Sequence, residues 1–344
     1  MDKTQYVGKY LYIYADIFFT KGYCRTMMCD LKKGIWQFIP NTYYELILLF
    51  KKHTIDSIEN EGIIDSSKLY EFIGFLLTNN CGQIVDDIQL FPEIELKWDS
   101  PHFIENSIID VDENSNHNYI KIANELQQLF CKNIQFRFFC EKDLSEIAYI
   151  IHVFKGRDFE SIDFIVKYFP PINKEEYLML ASENPSVSFI VHSAPNNVFF
   201  ESKLKGIYPI VGYVQYTEQT ITSANCCGII NKDSFVFPKF PKDFIEGIIR
   251  NKCLNRKISI SSTGEIKNCP SMNINYGNIK TDSLIDVYQN KKFRSFWYIT
   301  KDKISICKDC EYRNVCNDCR AFAKNKFSKP SKCSYDPYHT SWNK

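Results

Sequence analysis

The sequence predicts an α/β protein in three parts. The centre reads as a partial (β/α) barrel or a doubly wound sheet, preceded by a small α+β domain of winged-helix-like outline and followed by a Cys-rich domain. Three observations predict this. Strand-like and helix-like runs alternate from about Phe91 onward, the usual signature of a parallel sheet. Short strands and then short helices fill the first 88 residues. Seven of the fourteen cysteines crowd into residues 251–344. The expected domains are therefore 1–88, 89–250 and 251–344.

In the first part, Lys9 to Tyr14 is strand-like, and Arg25 to Cys29 and Ile35 to Ile39 are joined by the turn sequence DLKKG, Asp30 to Gly34. Asn41 is the expected cap of a helix carrying Tyr44, Leu46, Leu49 and Phe50. Ser66 starts another, with Leu69, Phe72, Ile73 and Leu76 at helical spacing and an end at Asn79, Asn80 and Gly82.

The centre offers strands at Ser107 to Val111, Ile134 to Phe139, Ser161 to Tyr168, Val187 to His192 and Tyr208 to Tyr216. Helical patterns lie between them at Tyr119 to Phe130, at Leu144 to Phe154 behind Asp143 and Glu146, and at Lys174 to Ser182. Four or five such units are too few to close an eight-stranded barrel. The last part shows little regular pattern beyond one helix, capped by Asp282, with Leu284, Val287, Tyr288 and Phe293 on one face.

Composition narrows the function classes. A chain of 344 residues that is 44% hydrophobic and 15% aromatic can bury several cores. Its formal net charge of +1 supplies no field for polyanions, so nucleic acid is not an expected partner. Asp16 interrupts the one apolar run near the N-terminus, and no stretch approaches the roughly 18 to 20 apolar residues of a membrane span. The expected setting is cytoplasmic, without a membrane partner. Grouped cysteines in a reducing compartment point to metal or cluster ligation rather than disulfides.

The densest run is ICKDCEYRNVCNDCR, with Cys307, Cys310, Cys316 and Cys319 in a Cys-x2-Cys-x5-Cys-x2-Cys block. Two knuckles of this kind could hold one zinc ion, but zinc ribbons commonly leave about 15 to 20 residues between them. Iron-sulfur ligation tolerates the density better, because successive thiolates can reach different irons or a second cluster. Cys253, Cys269 and Cys333 bring the number of thiols to seven. One 4Fe-4S cluster takes four thiolates and leaves three for a second cluster with an open iron. Cys226 and Cys227 are candidates for that fourth position, with plain packing as the alternative.

Cys253, ten residues, Gly264, four residues, Cys269, then the block and a late Cys333 together resemble the SPASM domain, an auxiliary-cluster module of radical SAM peptide-modifying enzymes. Tyr276 to Ile279, leading into Asp282 to Phe293, resembles the segment between that module's two cysteine groups. The resemblance implies two 4Fe-4S clusters, one on Cys307, Cys310, Cys316 and Cys333 and the other on Cys253, Cys269 and Cys319. The commoner family spacing before the last block cysteine is three residues, where Asn317 and Asp318 make two.

Radical chemistry of that family needs Cys-x3-Cys-x2-Cys after the first barrel strand, and no three cysteines here have that spacing. The loop Asp112 to Asn118 contains none. The middle domain therefore looks like a degenerate remnant of the radical SAM barrel, with no S-adenosylmethionine expected. A SPASM module without the radical machinery resembles the grasp-with-spasm peptide maturases. That likeness implies a precursor (leader) peptide and an ATP-grasp ligase as partners, in ribosomal peptide biosynthesis. The N-terminal part loosely resembles leader-recognition domains, which take a peptide as an added strand. The competing reading is a zinc-stapled (Zn2+) winged-helix regulator or nucleic-acid-binding protein, which the neutral charge suits poorly. A third keeps enzymatic action at an open iron.

No acid, base or nucleophile constellation stands out, so no catalytic residue is assigned. His152 reads as a core imidazole, His192 as an ordinary strand end and His339 as a donor toward cluster sulfur. Arg313 and Arg320 either support a reduced cluster or lie on the surface.

Overall fold

A computed structural model describes residues 3–200, 212–238 and 240–343. Its N-terminal part pairs β1 (Tyr10–Ile13) with β5 (Gly82–Val85). A separate antiparallel sheet follows the order β2 (Ile17–Lys21), β3 (Arg25–Asp30), β4 (Ile35–Pro40). The turn after β3 closes as its sequence suggests, with Gly34 at φ +70 and its N–H bonded to the Asp30 carbonyl. Three helices pack on one face: α1 (Thr42–Phe50), α2 (Ile55–Glu61) and α3 (Ser66–Thr78).

The middle strand β3 is buried on both sides. Met28 joins the core shared with the helices, while Met27 and Cys29 face the other way into a core built with the C-terminal part. Side chains alternate across a strand, so a run of apolar residues here means two covered faces. One sequence expectation needs correction, and one strand escapes the sequence pattern. Strand β2 was not read because Asp16 and Thr20 mask its short apolar run. Asn41 precedes α1 but makes no cap, because its side chain bonds Thr26 and the carbonyls of Gly22 and Tyr23. Helix α3 does begin at Ser66, and the residue before it, Asp65, caps it by accepting from the Ser67 N–H.

The centre is an eight-stranded, mostly parallel sheet. Strands β6 (Asn106–Val111), β7 (Asn133–Phe138), β8 (Ser161–Lys167) and β9 (Val187–His192) alternate with α4 (Tyr119–Gln128), α5 (Leu144–Phe154) and α6 (Lys174–Glu183). Beyond β9 lies β11 (Val214–Tyr216), edged by the antiparallel β10 (Val198–Phe200). The expected strand Tyr208 to Tyr216 is thus described from Val214; residues 208–211 lie outside the described residues. Asn173 and Glu176 form a full capping box at α6, and Asp143 caps α5 through the Glu146 N–H.

The two faces of this sheet differ. Phe136, Phe138, Phe164 and Phe189 stack on the helix side, with Phe136 and Phe164 centroids 5.1 Å apart, and form one buried core with α4, α5 and α6. The opposite face carries Asp110, Gln135, Arg137, Asp163, Ser188 and His192 at register-matched positions. Asp110 and Arg137 pair there through two hydrogen bonds of 2.7 and 2.8 Å.

Residues 251–344 contribute more regular structure than their sequence suggests. Helix α7 (Pro241–Ile249) leads in, with proline in its first turn, where the missing N–H costs nothing. Strand β12 (Lys257–Ile260) then pairs parallel with β6, and β13 (Ile266–Lys267) turns back on it as the other edge of the sheet. A four-residue strand of alternating polar and apolar residues is too short to announce a parallel pairing about 150 residues away in sequence. Its Ile258 and Ile260 belong to the same buried core as the central strands. Helix α8 (Leu284–Gln289) is capped by Ser283 rather than Asp282, and Phe293 lies in the next helix, α9 (Lys291–Arg294). A last antiparallel pair, β14 (Tyr335–Asp336) and β15 (Ser341–Trp342), ends the chain. Among the described residues no helix is long and apolar enough to cross a membrane.

Candidate metal centre

The block cysteines stand on tight turns. Cys307 begins a three-residue helical turn whose Cys310 N–H bonds back to the Cys307 carbonyl at 3.1 Å. Cys316 closes the next turn onto the Tyr312 carbonyl at 3.0 Å. Two non-glycine residues beside these cysteines take left-handed backbone, Ile306 at φ +68 and Asp318 at φ +45. A β-branched residue there is a strained exception that the surrounding turns must enforce.

The thiols sort into two groups. Cys307 interacts electrostatically with Cys316 and Cys333, Cys310 with Cys307 and Cys316, and Cys333 with Cys316. Cys310 and Cys333 pack into the core under the N-terminal sheet, beside Tyr312, Val315 and Tyr335. The second group joins Cys319 to Cys253, Cys269 and Cys227 by the same kind of interaction. Cys253 and Cys269 pack in a different apolar cluster, with Leu254 and Met272.

The last Cys-x2-Cys therefore does not converge on one point. Asp318, left-handed and buried, divides it, so that Cys316 belongs to one group and Cys319 to the other. Its carboxylate is held by Arg320 at 2.7 Å and by the Asn251 amide at 2.6 Å. The short link of Asn317 and Asp318 is in this way closed by a polar hub.

Cys227 reaches the second group on the loop 222–230. Ser271 Oγ, two residues past Cys269, donates to the Ala224 carbonyl at 2.7 Å. The Lys332 ammonium donates to the carbonyls of Asn225 and, at 2.9 Å, Cys227. Gly228 lies so close that a Cβ on it would stand 2.8 Å from Cys319 Sγ. Only glycine, at φ +89, admits that approach. Cys226 is engaged elsewhere, its sulfur accepting from the Thr222 N–H at 3.4 Å. The sequence names both cysteines and cannot choose; Gly228 is the signal that could have drawn attention to its neighbour.

Burial dominates the acidity of these thiols. It pushes Cys307 and Cys319 up to about 12 and Cys269 to about 11, and raises Cys310 and Cys333 as well. Thiols held neutral in this way release protons when a metal binds. Lysines face both groups: Lys301, Lys252 and Lys329 the Cys307 group, and Lys257 and Lys332 the Cys253 group. Lys301, 5% exposed, donates to the Cys316 carbonyl at 3.3 Å and sits 4.0 Å from Asp318. Burial disfavours its charge, but Cys316, Asp318 and Cys307 outweigh burial and raise its pKa. Lys257 donates to Cys253 Sγ at 3.6 Å.

The arginines and histidines singled out from sequence serve otherwise. Arg313 pairs with Asp302 and bonds the carbonyls of Lys21 and Cys310, and Arg320 is spent on Asp318 and the Ser328 carbonyl. His339 is exposed and bonds Asp336 at 2.7 Å. His192 is buried and bonds the Phe138 carbonyl, tying strand ends together. His152 points outward on α5 rather than into the core.

The donor set suits an iron-sulfur group, since both groups consist of thiols alone. Among the described residues no three His, Cys, Asp or Glu side chains close around a single ion.

Residues 252–311 match the SPASM domain, an iron-sulfur cluster-binding domain. The matched stretch takes in Cys253, Cys269, Cys307 and Cys310 and stops short of Cys316. No curated protein sequence matches the chain. Similar solved structures include Streptococcus suis SuiB bound to S-adenosylmethionine, at 12% identity over 94% of this chain and 99% of that one, with a TM-score of 0.36. SuiB bound to its precursor peptide SuiA is similar at 13% identity, with the same coverage and a TM-score of 0.35. AdoMet-bound anSMEcpe is similar at 10% identity over 68% of this chain and 94% of that one, with a TM-score of 0.36.

Proposed function

We propose that this chain is an iron-sulfur peptide maturase or accessory protein of the grasp-with-spasm kind, acting with an ATP-grasp ligase on a small precursor peptide in ribosomal peptide biosynthesis. The observation that carries the reading is the sorting of eight thiols into two groups of four, each with lysines close by. Cys307, Cys310, Cys316 and Cys333 would hold one 4Fe-4S cluster. Cys253, Cys269 and Cys319 would hold the other, with Cys227 at its fourth corner. Such groups supply one-electron transfer when bound.

The peptide would sit on the N-terminal part. Among the described residues β2 pairs only with β3, which leaves one edge open for strand addition. An apolar groove of about 410 Å³ runs beside it, lined by Tyr12, Ile13, Phe19, Tyr44, Leu48 and Phe91. An added strand along β2 would place alternate side chains in that groove. The loop Asp112 to Asn118, where a radical initiator would be ligated, has no cysteine and is tied by Ser115 Oγ to the Ser262 carbonyl at 2.9 Å. On this reading S-adenosylmethionine has no role.

Protein purified without oxygen should be brown and carry about eight irons and eight sulfides per chain. It should alter the yield of the ligase on the precursor and form no 5′-deoxyadenosine from S-adenosylmethionine. A colourless sample carrying zinc would favour the zinc-stapled regulator, and a new peptide mass without the ligase would favour an enzyme with an open iron.

A further inference from the structure

The two cysteine groups differ in the charges around them. At the group of Cys307, Cys310, Cys316 and Cys333, carboxylates mix with cations: Asp318 acts on Cys307 and Glu311 on Cys310, against Lys301, Lys252 near Cys316 and Lys329 near Cys333. Lys301 there shares Asp318 with Arg320. At the other group Lys257 opens β12 and points its ammonium at Cys253, within electrostatic reach of Cys269 and Cys227 too. Among the described residues no carboxylate pairs with it. Of the other cations here, Lys332 is held by the carbonyls of Asn225 and Cys227, and Arg137 is already neutralised by Asp110. An ammonium in a partly buried site without a carboxylate implies an anion in its place, and the anion available is the thiolate set itself.

We propose that Lys257 is the built-in counter-charge of the Cys253, Cys269, Cys319 and Cys227 centre and makes it the more easily reduced of the two. This rests on the iron-sulfur reading above. One-electron reduction by an external donor adds one negative charge to the centre and makes or breaks no bond to the protein. A fixed positive charge at hydrogen-bond distance from a ligand sulfur favours that more negative state. Electrons delivered to the Cys307 group would then run downhill toward the second group and the polar sheet face at Arg137.

The test is an EPR-monitored dithionite titration of the full-length anaerobic protein, with Cys253→Ala used to assign the two signals. Lys257→Met should lower the reduction equilibrium constant of the Cys253 centre about tenfold, about 59 mV for one electron, and leave the other centre unmoved. Lys257→Arg should restore it. If the methionine variant sheds half its iron while the arginine variant keeps all of it, the counter-charge is equally supported. Unchanged midpoints, equal shifts at both centres, or the same loss in both variants would overturn the proposal. Wild-type protein that binds no iron and sulfide overturns the reading beneath it as well.

Discussion

The two groups of thiols use the same side chain and are assembled in opposite ways. The Cys253 group takes three of its four thiols from nearby pieces, with Cys319 reaching in from the block: the β12–β13 hairpin carries Cys253 and Cys269 at its ends, and loop 222–230 folds over from just upstream. The Cys307 group depends on the far end of the chain. Arg25 of β3 pairs with the fully buried Glu311 at 2.7 Å, and Glu311 also accepts from the Tyr335 hydroxyl. Thr20 accepts from Asn314, and the Tyr23 N–H bonds the Asp309 carbonyl at 2.7 Å. The difference teaches that cysteine spacing describes a local hairpin well, whereas a block of turns needs a sheet from elsewhere to hold it.

The largest expected effect falls on the local group. Cys227→Ala should remove about half of the bound iron, from about eight to about four, while Cys226→Ala leaves the content unchanged. Equal losses would erase the distinction between the two neighbours. The distant clamp is tested by Arg25→Met, which leaves Glu311 buried beside one hydroxyl. Breaking a buried pair costs about 3 kcal/mol, measurable by urea unfolding, and iron should leave the Cys307 group first. A loss below about 1 kcal/mol would mark the contact as a solvent-screened pair and separate the N-terminal sheet from that centre.

The smallest effect sharpens the background on which both groups rest. Burial pushes Asp163 on the polar sheet face up to about 6, and among the described residues no partner offsets it. The folded state keeps a proton that the unfolded chain loses near pH 4, so this contribution is full below about pH 4 and falls as pH rises through about 6. Asp163→Asn should remove that slope and stabilise the protein by about 1 kcal/mol at pH 7, after discounting for its partial exposure. Thermal unfolding at pH 5 and pH 7 would read it, and an unchanged slope would contradict the burial.

The alternation of β6 to β9 with α4 to α6 was legible because each element is long enough to show its own period. The grouping of the cysteines along the chain was visible because spacing is a local property. What was not legible depends on partners far away in the chain. β12 joins β6 only in three dimensions, Lys257 becomes a counter-ion only when the hairpin is closed, and His339 bonds Asp336. Helix α7 could have been found from Pro241 followed by Phe244, Ile245 and Ile248.

The grip of Thr20 and Arg25 on Asn314 and Glu311 spans 294 and 286 residues of chain. Contacts of such separation form late and slowly. During synthesis, the outer face of this early sheet stays uncovered until residues 311 and 314 have been made. On the iron-sulfur reading, a cluster at the Cys307 group would therefore form only after these distant segments have met, and its timing would be set by how soon they do.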